Sequence, residues 1–77
     1  MTHREMYDIV FEENADLPAF GKVKLLAQLI YRDRKDEDGF TKDDAVWVAL
    51  EKYEEMCGRW IDPTHEQFDE IKCSIVG

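Results

Sequence analysis

The string Asp36-Glu37-Asp38-Gly39-Phe40 could supply oxygen ligands to a divalent cation. Calcium loops held between two helices place such ligands at the first, third, fifth and twelfth positions, around a glycine at the sixth. With Gly39 sixth, Asp36 and Asp38 fall third and fifth, but Arg34 falls first and Ala45 twelfth. A cation then replaces the first ligand, and a methyl group replaces the bidentate glutamate. Starting the frame at Asp33 moves the glycine out of place instead. The string reads as an acidic turn leading into a helix. A degenerate EF-hand-like, metal-responsive module is the alternative.

A zinc site would recruit Cys57, His65 and Cys73, with His3 as a fourth ligand. Their Cys-x7-His-x7-Cys spacing departs from structural zinc patterns, whose paired ligands lie about two to five residues apart. The two thiols are expected to be reduced, unbridged and partly buried, behaving as small apolar side chains. Nucleophilic and acid–base chemistry find even less support. Ser74 is the one serine and has no glycine elbow, and Gly21 has no glycine beside it to build a phosphate loop. Carboxylates on solvent faces keep ordinary acidity and gain nothing as catalysts. A chain this short also has little room to enclose a substrate. No catalytic residue, metal ligand or cofactor is assigned, and the chain is expected not to be an enzyme.

What remains is a surface. Projected as a helix, residues 42–57 gather Asp43, Asp44, Glu51, Glu54 and Glu55 on one side, with Trp47 between Glu51 and Glu54. A final helix adds Glu66, Asp69 and Glu70 at i, i+3 and i+4, and Asp36, Glu37 and Asp38 extend the charge into the preceding turn. Like charges at this spacing cost a helix about 0.2–0.5 kcal/mol per pair. Carboxylates four residues apart stand about 6 Å apart along the axis, comparable with the spacing of backbone phosphates. An exposed tryptophan ringed by acids has the composition of an interface hot spot facing a basic partner. The plainer reading is that the charges keep the chain in solution while Trp47 tucks against a neighbouring helix.

These residues need helices to hold them, and the apolar residues follow a 3.6-residue period in four segments. The first spans about 4–14, with Met6, Ile9 and Val10 on one face and Tyr7 and Phe11 beside them. Its other side carries Glu5, Asp8 and Glu12 as an acidic stripe. The second spans about 17–34, with apolar residues from Phe20 to Tyr31 over more than half its circumference, as in the central helix of a bundle. The third runs over 42–57, started by a Thr41/Asp44 capping box and ended by Gly58 in the left-handed conformation. Val46, Ala49, Leu50, Tyr53, Met56 and Cys57 form its core arc. Trp60 and Ile61 are expected to plug the bundle. The fourth spans 64–76, opened by Pro63 and a second box, Thr64/Gln67, with Phe68, Ile71 and Ile75 as its seam. Nothing alternates at period two, so the expected class is an all-α bundle of one domain.

Composition bounds the function. The 77 residues carry 18 acidic against 10 basic side chains, a formal charge of −8. Such a charge repels phosphate, which argues against direct binding to nucleic acid or an anionic membrane. No stretch approaches the roughly 20 apolar residues of a membrane span. The opening Met-Thr-His-Arg-Glu lacks the apolar run of a secretory signal, which points to the cytoplasm of the cell, a host cell if phage-encoded.

In size, acidity and helical character the chain resembles the inhibitors that phages and mobile elements carry against host nucleases, among them anti-CRISPR and anti-restriction proteins. The resemblance is one of profile. Those inhibitors share no common fold, and no residue carries over from them. It implies a protein partner with a basic, nucleic-acid-binding surface, blocked by charge mimicry or locked in one conformation. Besides the metal-responsive module, a self-associating regulatory or structural subunit is the other reading, with the apolar faces of the first two helices as a dimer interface. Monomer and homodimer both fit the pattern.

Overall fold

Three threonines start three of the helices in the computed structural model, which describes residues 2–76. Thr2, Thr41 and Thr64 each accept a hydrogen bond from the backbone N–H three residues on, and Glu5, Asp44 and Gln67 each bond back to the capping residue's own N–H. Each box satisfies two donors that a helix end otherwise leaves open. The helices are α1 (His3–Tyr7, continued as a π-helical segment over Asp8–Glu13), α2 (Ala19–Arg34), α3 (Lys42–Cys57) and α4 (His65–Ser74). No strand occurs among the described residues, and the class is all-α as the periodicity predicts. No helix there is long and apolar enough to cross a membrane.

α2 is the central helix, packed against the π segment, α3 and α4. Val23, Leu26, Ala27 and Ile30 of α2 meet Val46, Ala49 and Leu50 of α3 and Ile71 of α4 in one buried cluster, which Val10 closes from below. The radius of gyration is 11.5 Å, close to the about 11.5 Å expected for this length. Gly58 ends α3 at φ 74°, the left-handed conformation in which a Cβ is strained.

The structure departs from the sequence expectations at five places. The first helix changes to a π turn at Asp8, and Asn14 Nδ2 caps it by donating to the Ile9 carbonyl at 2.6 Å. Phe11 thereby lies between Tyr7 and Tyr53, at ring-centroid distances of 5.0 and 5.7 Å. α2 starts at Ala19 rather than Leu17, because the ring of Pro18 excludes Leu17 from helical backbone and leaves it exposed. α4 stops at Ser74, since Ile75 turns extended and Gln28 holds Val76 by both its backbone N–H and its carbonyl.

Cys57 is exposed rather than part of the core arc, although Met56 beside it packs on the core, and Cys73 is exposed on α4. Both thiols are free, but neither is partly buried as expected. Trp60 does not plug the bundle: it is 47% exposed, and Ile61 alone of that pair packs on the core. Burial raises the pKa of the Tyr53 phenol above its ordinary value, with its Cys57 contact adding to the effect.

Two predictions follow from this packing. Leu26→Ala or Leu50→Ala empties a fully buried site and is expected to cost about 2–5 kcal/mol in denaturant unfolding; a near-neutral result would overturn the core assignment. Both cysteines are expected to react with a thiol reagent in the native protein at rates close to those in denaturant. Protection of either until unfolding would contradict its surface position.

Candidate functional site

α3 and α4 run side by side, and a shallow open groove of about 520 Å³ lies between the N-terminal part of α3 and α4. Trp47 and Phe68 form its apolar floor, their ring centroids 5.2 Å apart and their planes tilted by 49°. Pro63 and Thr64 close one end, where the Thr64 box sets the direction in which α4 departs. Asp43, His65, Asp69 and Lys72 line the rim. Trp47 is 49% exposed. It satisfies both sequence readings at once: one part of the indole packs on the neighbouring helix, and the rest faces solvent beside acids.

Helical geometry explains this placement. Asp43, Trp47, Glu51 and Glu54 follow one another at i, i+4, i+8 and i+11 along one stripe of α3. The buried residues Ala45, Val46, Ala49, Leu50 and Tyr53 occupy the flank next to it, Val46 and Leu50 following Asp43 and Trp47 at i+3. Trp47 therefore sits where the packed face meets the solvent face. On α4, Phe68 and Lys72 are one turn apart and reach α3, Asp69 lies on the groove rim, and Glu66, Glu70 and Cys73 are exposed away from it.

The eleven acids and one aromatic proposed from sequence fall into separate settings. Asp43 and Asp69 join Trp47 at the groove. Asp43 is paired with Lys72 at 3.0 Å, and Asp69 lies 3.4 Å from His65 Nδ1. The hydrogen bond to Asp43 holds the Lys72 ammonium's pKa above its ordinary value. Glu55 pairs with Lys52 at 3.5 Å, and Glu70 reaches across to Lys24 of α2, away from the groove. Asp44 is engaged in the Thr41 box. Glu51, Glu54 and Glu66 are exposed, and no ion pair among the described residues involves them.

The turn carrying Asp36, Glu37 and Asp38 is bound up with Arg34. Arg34 Nε pairs with Glu37 at 2.6 Å, and its guanidinium carbon stands 4.4 Å from the centre of the Phe40 ring. That hydrogen bond raises the Arg34 pKa above its ordinary value. The residue that would open a calcium loop thus ties the turn together as a cation, with Gly39 at φ 81° completing the bend. No group of three or more His, Cys, Asp or Glu side chains among the described residues gathers as a metal site. His65 and Cys57 belong to different surroundings, the groove rim and the exposed end of α3.

Sequence reasoning missed Phe68, Pro63 and Lys72 as members of the site. Phe68 and Lys72 are a turn apart on α4, but only the contact between α3 and α4 shows which neighbour they face. Comparisons with protein-family models, curated proteins and solved structures found no match to this chain.

Half of the indole already faces water, so Trp47→Ala is expected to cost about 1–2 kcal/mol, less than Leu50→Ala. Paired denaturant melts check this. A loss equal to that of Leu50→Ala would make Trp47 a core residue instead of a surface floor.

Proposed function

We infer that this protein is an acidic helical binding module whose target is a protein with a basic, nucleic-acid-handling surface, and that it inhibits that target by covering the surface. The observation that carries this reading is the half-exposed Trp47 in a groove rimmed by Asp43 and Asp69, with Glu51 and Glu54 continuing the same stripe of α3. An anchor ring beside carboxylates, of which Glu51 and Glu54 enter no ion pair among the described residues, supplies both parts of an interface: apolar area to desolvate, and charge to orient a basic partner. The formal charge of −8 steers association with a cationic surface and repels competing phosphate. Such binding is fast and falls with added salt.

The apolar faces of α1 and α2 are used inside the four-helix core, so self-association through them draws no support from the packing. The metal-responsive reading likewise draws none from the Arg34-centred turn.

The test is capture from a bacterial lysate at low salt, run in parallel with the native protein and the double variant Glu51→Lys/Glu54→Lys. Both side chains are exposed, so the variant is expected to keep the helical circular dichroism and melting behaviour of the native chain. The native protein is expected to retain a nuclease or nucleic-acid-binding complex that salt or added duplex DNA releases, and the variant to retain none. Equal retention by the variant, or retention that nucleic acid does not displace, would sink charge mimicry.

A further inference from the structure

We propose that the groove between α3 and α4 takes an arginine side chain of the partner, its guanidinium lying over the exposed part of Trp47 and bonded by the Asp69 and Asp43 carboxylates. The inference rests on the binding reading above and names the chemistry that the groove selects.

The rim decides what can occupy the groove. An apolar segment laid over Trp47 and Phe68 would strip water from Asp43, Asp69 and Lys72 without offering them partners, which is costly. A nucleic acid meets the net charge of the whole chain. A cation is the occupant that answers both the rim and the ring. Asp43 and Asp69 together outnumber Lys72, and Glu51 and Glu54 lie one and two turns beyond Trp47 on the same stripe.

Arginine fits better than lysine for two reasons. A planar guanidinium stacks on an aromatic face, and its fork bonds carboxylates through more than one N–H at a time. The chain already contains this arrangement once. Arg34 lies over the Phe40 ring at 4.4 Å while bonding Glu37 at 2.6 Å. The groove offers the same two components, ring and carboxylate, without an arginine of its own. Lys72 on the rim is drawn to Asp43 at 3.0 Å, which shows that the rim holds a positive charge and that part of its capacity is already occupied.

The experiment uses the full chain carrying Trp60→Phe, which leaves Trp47 as the single tryptophan reporter. Hexa-arginine amide and hexa-lysine amide are titrated at the same low ionic strength while Trp47 emission is followed. Hexa-arginine is expected to change the emission saturably and to bind about three- to tenfold tighter than hexa-lysine. Asp69→Asn should weaken the arginine peptide severalfold. Lys72→Gln should strengthen it, and by more than Lys52→Gln, which removes the same charge outside the groove.

Equal affinity for the two peptides with unchanged Trp47 emission would overturn the arginine site. If Glu51→Lys/Glu54→Lys then abolished that equal binding, the acidic-face reading would stand without the groove. Absence of binding by either peptide would overturn both.

Discussion

The contact between α2 and α3 is the constraint on which the rest of this small protein depends. Leu26 and Ile30 of α2 and Val46 and Leu50 of α3 are its largest fully buried side chains there, and Ala27, Ala45 and Ala49 are fully buried with them. Alternation of large and small side chains lets two helices interdigitate at the density of a protein interior. α1 and α4 each lay a narrow apolar seam against this pair, Met6 and Val10 from one and Ile71 and Ile75 from the other. Because α3 gives its alanine-rich side to α2, its opposite side is committed to solvent. The exposed acids are on that side for this reason, with Trp47 at its edge.

The position of α4 then turns an acidic helix into a groove. Phe68 covers part of the indole that α3 alone would leave in water, and Lys72 crosses to Asp43. Lys24 makes the corresponding tie from α2 to Glu70. Cations are thus placed at the seams between helices, where a pair of opposite charges also fixes the register of one element against another. The outer stripe of α3 at Glu51 and Glu54 receives none of them among the described residues. Like charges left unopposed weaken an isolated helix, yet they are what gives the face its long-range attraction for a basic surface.

Local signals were legible wherever the physics is local. The Thr41/Asp44 and Thr64/Gln67 boxes and the left-handed Gly58 occur where the residue types predict them, because a cap depends on three or four consecutive residues. A third box at Thr2/Glu5 carries the same signature and went unread. The core arc of α3 was legible through Met56 and failed at Cys57. Periodicity assigns a side to every residue of a helix, but it says nothing of where the neighbouring helix ends. Trp60 and Leu17 misled for the same reason, their apolar character suggesting burial that no neighbour supplies.

Sequence alone determined the all-α class, the number of helices, three of their caps or stops, and an acidic stripe on α3 with Trp47 inside it. Each follows from residue type at a spacing of three or four, the reach of a single helical turn. Only the tertiary structure decided that Trp47 is half covered by Phe68, that Asp43 and Asp69 meet across a groove while Glu70 turns toward α2, and that Arg34 occupies the turn next to Asp36 and Asp38. Those relations join residues far apart along the chain. They are set by which faces of α2, α3 and α4 exclude water together, and no single segment contains that information.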